Sequence, residues 1–364
     1  MRGAPETGAD RVRLTRSTDV AGVSVGPPLG REQREQDEDG WLAAGATRAS
    51  GGGRRARAEE PDAFRTCFER DRDRVLHAAA FRRLAGKTQV FVFPDDHQRT
   101  RLTHALEVAQ VATAVARATR LNVALTEAIA LAHDCGHGPG GHASEDAFSP
   151  YVEGGYDHAV WGADVVLDGL NLCAETLDGV RNHSWSRPSP STPEGLVVSW
   201  ADRIAYCCHD LEDATLAGVV SSDLLPSIVR DRCGVTRSEQ LRSFIAALVD
   251  AITVTGRIGM SDDVADALAA LRAFNYQHIY LRPASMAQSE SVIAVLRALV
   301  EHFADRPNAI ESGVPLEAGS EAAVRSAVTW VAGMTDRYAF RTAIAALGWD
   351  PIKLPKGVDS PATR

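Results

Sequence analysis

The chain of 364 residues has little that would place it in or across a membrane. It lacks any run of about eighteen apolar residues, the length that a membrane-spanning helix requires. Its N-terminus lacks the basic-then-apolar order of a secretory signal, so we expect a cytoplasmic protein. Aromatic residues make up only 6% of the chain, but 45% of it is hydrophobic, enough to bury a core as one large domain or two smaller ones.

Cysteine spacing and net charge exclude two further classes of protein. No two of the six cysteines are in CxxC spacing, so they form neither a zinc ribbon nor a disulfide framework, and we expect reduced thiols. They are Cys67, Cys135, Cys173, Cys207, Cys208 and Cys233. The net charge of -9 argues against a strongly nucleic-acid-binding surface overall, although it leaves room for a local basic groove.

The chain changes character near residue 60. Residues 1–60 contain ten arginines, ten acids and almost no periodic apolar pattern, which predicts a flexible low-complexity arm. The alternative, a basic element that contacts anions, is disfavoured because the two charges are equal in number. From about residue 61 to residue 350, helical patterns alternate with short Gly/Pro loops, so the body is predicted to be all-α. Residues 351–364 are predicted to form a flexible tail.

The most informative segment is HDCGHGPGGH, residues 133–142. It holds three of the eleven histidines beside a carboxylate, in a stretch too glycine-rich for an ordinary core helix, which points to metal or phosphate chemistry. A helix predicted to begin at Asn122 carries His133 and Asp134 at its end, where Gly136 breaks it. Because adjacent helical residues point about 100° apart, both side chains meet one ion only across such an end.

Three other predicted helices carry the remaining polar residues. One places Arg101 and His104 three residues apart, away from its apolar side. A second, over about residues 156–170, carries His158. A third starts cleanly at Thr192-Pro193. One side of it carries a polar row at four-residue spacing, formed by Asp202, Tyr206 and Asp210.

Two imidazoles and two carboxylates in these elements form a plausible site for one divalent first-row metal: His104, His133, Asp134 and Asp202. An isolated helical histidine is more often packed or solvated than ligating, so spacing alone leaves both interpretations open. The clustering favours ligation.

The order H, then HD about thirty residues later, then a distant D resembles the HD-domain metal-dependent phosphohydrolases. The match is narrowed by residues 64–92 and by the phrases RTRLTHALEVAQ, LTEAIALAHDCGHGPGGHASEDAF, PEGLVVSWADRIAYCCHDLEDA and GMTDRY. Together they resemble the deoxyguanosinetriphosphate triphosphohydrolase-like family from about residue 62 to about residue 345. The resemblance implies an all-α, HD-domain helical phosphohydrolase fold, with a core over residues 61–230 and a C-terminal helical extension over residues 231–350.

The resemblance implies hydrolysis of dGTP, or of deoxynucleoside triphosphates generally, to deoxynucleoside and tripolyphosphate. The reaction would depend on one divalent ion (Mn, Mg, Co, Fe or Zn) that polarises the α-phosphate and lowers the pKa of a water. The ion's ligands would be His104, His133, Asp134 and Asp202. Arg101 and Arg203 match positions that face the phosphates.

The resemblance also implies roles for the glycine-rich loop. His137 would be a catalytic acid or phosphate ligand, and His142 and Glu145 would complete the cluster. A carboxylate such as Glu145 raises the pKa of an imidazole that delivers a proton to the leaving 5′ oxygen, and orients it. His158 matches a further histidine near the phosphates. The alternative is that His137 caps the preceding helix and His142 packs under the loop.

Three residues match family positions near the sugar and base. Gln89 matches a glutamine near the sugar and the base. Tyr206 matches a tyrosine that packs on the deoxyribose, and Asp210 matches an acid close to the 3′-hydroxyl. A tyrosine at that place gives a steric reason to prefer deoxyribose, because a 2′-hydroxyl would be buried unpaired. The alternative is that Tyr206 and Asp210 serve only the packing and capping of their helix.

The chain departs from the family pattern in two places. The usual loop has Pro-Phe where this chain has Pro139-Gly140, so an aromatic anchor is missing and a less rigid loop is expected. His158 is followed by Ala159, where an amide residue is common, which weakens the match in that segment.

The C-terminal part of the chain contains amphipathic helices at 241–252 and 292–303. They resemble the extension by which such enzymes associate, so a homo-oligomer is expected from the resemblance, although packing within one chain would cover their apolar faces equally well. A nucleotide or single-stranded DNA effector is a further expectation. Asp336-Arg337-Tyr338 matches a family phrase; a role near the site is one interpretation, and a structural ion pair is the favoured one.

Two other functions fit the same residues. One is a different HD phosphohydrolase, acting on nucleoside monophosphates, cyclic dinucleotides or alarmones and releasing phosphate or pyrophosphate. The other is a non-catalytic protein that senses deoxynucleoside triphosphates or binds single-stranded nucleic acid. The intact set of metal ligands argues against the second.

Overall fold

The computed structural model describes residues 22–23, 26–95, 97–310 and 315–355. Within these residues the chain forms helices and short helical turns, with two isolated bridges and no strand, so the all-α prediction is confirmed. The helices are α1 (Arg31–Trp41), α2 (Cys67–His77), α3 (Ala79–Arg83), α4 (Arg101–Thr119), α5 (Val123–Ala132), α6 (Ala143–Phe148), α7 (His158–Trp161), α8 (Ala174–Asn182), α9 (Pro193–Leu216), α10 (Ser227–Cys233), α11 (Arg237–Thr255), α12 (Asp262–Asn275), α13 (Pro283–Asp305), α14 (Glu321–Ala332) and α15 (Asp336–Leu347).

The larger of two hydrophobic cores is built around α4, α5 and α9, with α2, α8 and α11 packed on them. Two predicted helix starts are confirmed there. Asn122 accepts a hydrogen bond from the Leu125 N–H at the start of α5, and Thr192 accepts one from the Gly195 N–H at the start of α9. These caps satisfy amide donors that the first turn of a helix leaves free.

The smaller core forms where α6 packs on α13, and α13 packs on α14 and α15. Both predicted amphipathic stretches are helical and have their apolar sides covered within the chain. Phe244 and Leu248 of α11 are buried in the larger core, and Leu296 and Leu299 of α13 are buried in the smaller one. The expected oligomer therefore remains a prediction from the resemblance.

The N-terminal segment corrects one prediction. The flexible arm expected over residues 1–60 is wrong for residues 31–60, whereas residues 1–21 lie outside the described residues. After α1, this segment follows the surface of the larger core and is fixed by charged side chains. Arg55 forms a buried ion pair with Asp71 at 2.7 Å, and the backbone and hydroxyl of Thr47 donate to Glu194 of α9. Balanced charge along the segment indicated solvation, but the partners of these groups lie in distant helices.

The helix predicted over residues 156–170 is broken into three short pieces. α7 is followed by a π turn over Gly162–Val166 and a 3-10 turn over Asp168–Leu170. A close backbone contact joins this segment to the end of α5. A Cβ atom on Gly136 would lie 1.9 Å from the His158 carbonyl oxygen and 2.5 Å from the Gly162 amide nitrogen. Only glycine allows this approach, which brings His158 next to His133 and Asp134.

The six cysteines are free and buried, in agreement with the expected reduced thiols. No helix among the described residues is long and apolar enough to span a bilayer. The C-terminal residues 351–355 form a short turn after α15, and the rest of the predicted tail, 356–364, lies outside the described part of the chain.

Candidate active site

A cavity of about 370 Å³ opens between the two cores, and most of the predicted site residues line it. The lining includes Gln89, Arg101, His104, Asp134, His137, His142, His158, Asp202, Arg203, Tyr206 and Asp210. Two predicted residues lie directly behind this lining. His133 Nε2 is 3.6 Å from Asp202 Oδ1, and Glu145 Oε1 is 2.5 Å from His158 Nδ1. The fold therefore brings all thirteen predicted residues together.

The four predicted metal ligands form one compact cluster from α4, the end of α5 and α9. Asp202 Oδ1 lies 3.0 Å from His104 Nε2. Asp134 Oδ1 lies 3.4 Å from His133 Nε2, and Asp134 Oδ2 lies 3.9 Å from His104 Nε2. Separations of about 3–4 Å are those expected between donor atoms that share one ion at about 2.1 Å.

The end of α5 explains how His133 and Asp134 reach the same point. α5 ends at Ala132, and a tight turn follows in which the Cys135 N–H donates to the Ala132 carbonyl. His133 Nδ1 lies 2.7 Å from the Ala130 carbonyl and donates to it, so in the neutral ring Nε2 is the nitrogen that can bind a metal. That Nε2 is buried without a hydrogen-bond partner among the described residues. The predicted helix end is confirmed.

The two carboxylates dominate the electrostatics of the cluster. Burial works to lower the pKa of His133, but Asp134 and Asp202 outweigh it and raise this pKa to about 9. Burial also works to raise the pKa of each carboxyl, but the neighbouring imidazoles hold both values well below the usual range, aided at Asp134 by Arg101. Two ionised carboxylates that draw a proton onto an imidazole provide an environment that suits a cation.

The two predicted phosphate-facing arginines are held in different ways. Arg101 Nη1 donates to Asp134 Oδ2 at 2.7 Å in a buried ion pair. Arg203 stacks on the Trp185 ring, with its guanidinium carbon 3.5 Å from the ring centre. The Nε of each arginine is buried without a hydrogen-bond partner within the described chain. Each guanidinium is thus fixed at the cavity wall with donor capacity to spare.

Neither loop histidine has the purely structural role of the alternative interpretation, a helix cap for His137 or packing under the loop for His142. His137 is buried with its Nε2 3.3 Å from Asp134 Oδ1, and its ring donates to no carbonyl of α5, so it does not cap that helix. Its ring stacks on the His158 ring, with the two ring centroids 3.7 Å apart. Burial and the charge of Arg101 lower the pKa of His137 well below its usual value. The side chain of His142 is 73% exposed rather than packed under the loop, and its Nδ1 lies 3.2 Å from Glu145.

Gly140 is anchored by contacts that the sequence did not reveal. Its φ is +73°, and a Cβ atom there would lie 2.4 Å from Val292 Cγ1, so α13 fills the space beside the loop. The Gly140 N–H donates to Asp336 Oδ1 at 2.8 Å, and Thr88 donates to Asp336 Oδ2. The ion pair expected for Asp336 is therefore wrong, because this carboxylate accepts hydrogen bonds from the loop instead. The buried Lys87 ammonium donates to the carbonyl of His137 and to that of Ala332.

The other end of the cavity combines α9 with α12 and the π turn that follows it. Arg272 Nε donates to the Tyr206 hydroxyl at 3.0 Å, and the Tyr280 hydroxyl donates to Asp210 Oδ2 at 2.5 Å. Burial raises the pKa of Asp210 to about 7, against the lowering effect of the Tyr280 hydrogen bond. Gln89 also lines this cavity, and its Oε1 is buried without a described partner.

The sequence patterns did not indicate several residues at or behind the cavity wall, among them Lys87, His183, Trp185, Arg272 and Tyr280. His183 lines the cavity beside His158, but it follows the last residue of α8, whose sequence has no motif that indicates a functional site. Arg272 and Tyr280 lie more than sixty residues after their partners in α9. The sequence offered a signal only for His183, which is one of several histidines between His133 and Asp202.

The chain matches two protein families. Residues 101–207 match the HD domain, and residues 258–344 match the phosphohydrolase-associated domain. A deoxyguanosinetriphosphate triphosphohydrolase-like protein of Caldanaerobacter subterraneus subsp. tengcongensis is 39% identical over 316 residues, covering 85% of this chain and 93% of the relative. A deoxyguanosinetriphosphate triphosphohydrolase-like protein of Clostridium perfringens is 39% identical over 299 residues, covering 78% of this chain and 87% of the relative. A solved structure of a hypothetical protein from Aquifex aeolicus is similar at 18% identity and a TM-score of 0.45, covering 76% of this chain and 71% of that chain.

Proposed function

Since the chain belongs to the deoxyguanosinetriphosphate triphosphohydrolase-like family, we propose that it hydrolyses deoxynucleoside triphosphates to deoxynucleoside and tripolyphosphate. The HD domain and the relatives make it an HD phosphohydrolase; the substrate and the bond cleaved are the proposal. One observation carries it. A single cavity joins a carboxylate and imidazole cluster, two arginines and a tyrosine beside an acid, which are the groups that a metal, a polyphosphate and a sugar require.

The residues of the cluster fit a divalent ion. The buried Nε2 of His133 lacks a hydrogen-bond partner in the described chain and lies among ionised carboxylates. Imidazole nitrogen and carboxylate oxygen are donors that first-row divalent metals accept. We therefore propose that one such ion is held by His104, His133, Asp134 and Asp202. When bound, it would polarise the α-phosphate and lower the pKa of a water.

Arg101 and Arg203 would bind the phosphates. Arg101 orients the Asp134 carboxylate through Nη1, and its remaining N–H groups would neutralise a phosphate oxygen. The stacking of Arg203 on Trp185 restricts its rotamers, so little conformational entropy is lost when it binds an anion.

The loop residues would manage the proton of the leaving group. The lowered pKa of His137 keeps this imidazole neutral near pH 7, which suits an N–H donor to a phosphate oxygen. His142 is exposed to the cavity mouth and oriented by Glu145, so we propose that it delivers the proton to the 5′ oxygen. Glu145 also holds His158, which we place near the phosphates.

Tyr206, Asp210 and Gln89 would contact the nucleoside. The Tyr206 hydroxyl accepts a hydrogen bond from Arg272, which holds the ring against the cavity, and the ring packed on the sugar would exclude a 2′-hydroxyl. Asp210 is held by Tyr280 and would accept a hydrogen bond from the 3′-hydroxyl. This arrangement favours deoxyribose over ribose.

Product analysis tests the proposal. The purified full chain is incubated with each deoxynucleoside triphosphate and Mn²⁺, Mg²⁺ or Co²⁺, and the products are separated by anion-exchange chromatography. We expect intact tripolyphosphate and free deoxynucleoside, and neither from Asp134→Ala. Monophosphate with pyrophosphate, or serial release of orthophosphate, would identify another HD phosphohydrolase. Binding without turnover under every metal would identify a nucleotide-sensing protein.

A further inference from the structure

One carboxylate of the C-terminal helices lies directly behind the cavity wall. Asp336 is the first residue of α15, and only 3% of it is exposed. Its Oδ1 atom accepts a hydrogen bond from the Gly140 N–H at 2.8 Å. Its Oδ2 atom accepts one from the Thr88 N–H at 3.0 Å and one from the Thr88 hydroxyl at 2.5 Å. Because Thr88 and Gly140 both line the cavity, this carboxylate joins two separate parts of the wall.

Both of these parts carry residues with a proposed role in the reaction. Gly140 lies in the glycine-rich loop, between His137 and His142. Thr88 directly precedes Gln89. Since Gly140 has no side chain, its backbone N–H and carbonyl are the only groups at this position that can form hydrogen bonds. The carboxylate therefore holds the loop by the one donor that position 140 offers.

The attachment of α15 to the protein does not explain this buried carboxylate. Phe340 and Ala343 of α15 are buried in the smaller core, and these apolar contacts already hold the helix. Moving an ionised carboxylate out of water costs free energy, which its hydrogen bonds offset, so the group adds little net stability. Burial also raises the pKa of Asp336, against the lowering effect of the hydrogen bonds from Thr88 and Gly140. These bonds instead fix the relative position of the groups that donate them.

The Asp336 contact also connects the two matched families. Gly140 lies in the part that matches the HD domain, residues 101–207, and Asp336 lies in the part that matches the phosphohydrolase-associated domain, residues 258–344. One side chain of the second part thus sets the geometry of a loop that belongs to the first.

We propose that Asp336 is a positioning residue, which holds the glycine-rich loop in place so that His137 and His142 face the phosphates and the leaving group. The inference rests on the proposed function, because the roles of these two histidines belong to it. It adds that the C-terminal helices complete the active site through Asp336.

Substitution by asparagine tests the proposal. Asp336→Asn keeps the shape of the side chain, but an amide has only one acceptor oxygen. When that oxygen keeps both Thr88 hydrogen bonds, the NH₂ group faces the Gly140 N–H, and the loop loses its anchor. A shift of about 1 Å in a catalytic group costs about a hundredfold in rate, so we expect kcat to fall by about ten- to a hundredfold and KM to change by less than about threefold. Glu321→Gln is the matched control, because Glu321 is the first residue of α14 and is exposed.

Hydrogen–deuterium exchange provides a readout that does not depend on turnover. Loss of the anchor should speed exchange by about tenfold in peptides that cover residues 136–145, whereas peptides from α4, α9 and α15 keep wild-type rates. A merely structural role of Asp336 would instead speed exchange throughout α15 and lower the melting temperature, with kcat and KM of the folded protein unchanged.

Two variants of Thr88 test the same carboxylate from its other side. Thr88→Val removes the hydroxyl donor and keeps the shape of the side chain, whereas Thr88→Ser keeps the hydroxyl. We expect Thr88→Val to lower kcat by about three- to tenfold and Thr88→Ser to restore most of this loss. This pair also answers the question if Asp336→Asn does not fold.

Wild-type kcat in Asp336→Asn, or a fall in kcat without faster exchange in the loop, would overturn the proposal. Equal losses in Thr88→Val and Thr88→Ser would also overturn it, because the hydroxyl would then have no part in the anchor. If wild type releases no tripolyphosphate, the proposed function fails, and the exchange rates of the loop still decide whether Asp336 anchors it.

Discussion

The two ends of the cavity are positioned in different ways. At the end that we propose binds the metal, called here the metal end, His133 and His183 are oriented by backbone carbonyls of their own helix ends, and Gly136 permits the contact that brings His158 alongside. At the end that we propose binds the nucleoside, called here the sugar end, Tyr206 and Asp210 depend on side chains from a distant part of the chain. Local backbone geometry therefore specifies the first end, whereas tertiary packing of the C-terminal helices specifies the second.

The largest expected effect comes from the metal end. Asp202→Asn keeps the shape of the side chain but removes the charge next to His104 and His133. Because metal charge stabilisation contributes several kcal/mol to a transition state, we expect turnover to fall by about a thousandfold and Mn²⁺ affinity to fall with it. Steady-state kinetics and isothermal titration calorimetry measure the two effects. The surface change Asp164→Asn is the control, and wild-type turnover in Asp202→Asn would remove this residue from the site.

The sequence predicted most of the metal end and only part of the sugar end. The HD motif, the helix end at Gly136 and the caps at Asn122 and Thr192 are local patterns, so the cluster was predicted residue by residue. Arg272 and Tyr280 acquire their roles only when α12 packs against α9, and no periodicity records that contact.

The prediction of a flexible arm was wrong for residues 31–60 for a related reason. Local composition indicated solvation, but Arg55 is buried by an ion pair with Asp71 on α2.

Loop anchoring should have the next largest effect. Lys87→Met removes the ammonium that donates to the His137 and Ala332 carbonyls, leaving both unpaired. A shift of about 1 Å in a catalytic group costs about a hundredfold in rate, so we expect kcat to fall by about ten- to a hundredfold with little change in KM. Lys353→Met is the matched surface control. If Lys87→Met lowers only the melting temperature, Lys87 is structural and does not position the loop.

A smaller effect is expected at the sugar end. Tyr280→Phe leaves the buried Asp210 carboxyl without its donor, at a cost of about 1–3 kcal/mol. We expect KM for deoxynucleoside triphosphates to rise by about tenfold, with kcat nearly unchanged, because nucleoside positioning is affected more than the chemistry. Tyr338→Phe, on the exposed side of α15, serves as the control. An equal fall in kcat would show that the two ends of the cavity are not independent.

The pKa of Asp210 predicts an effect on stability. Burial raises this pKa to about 7 in the folded protein, so the folded state retains a proton that the unfolded state loses above about pH 4. The contribution of Asp210 to the free energy of unfolding is therefore complete at low pH and is lost as pH rises toward 7. Asp210→Asn removes this titration. We therefore expect the free energy of unfolding, measured in urea between about pH 4 and about pH 7, to fall with rising pH less steeply in Asp210→Asn than in wild type, by at most about 1.4 kcal/mol per pH unit. Parallel curves for the two proteins would contradict the raised pKa.

Hydrolysis in water enriched in oxygen-18 tests the central claim most directly. If water attacks the α-phosphorus and the bond to the 5′ oxygen breaks, mass spectrometry should find one heavy oxygen in tripolyphosphate and none in the deoxynucleoside. A labelled deoxynucleoside monophosphate with pyrophosphate, or label in orthophosphate alone, would contradict the account.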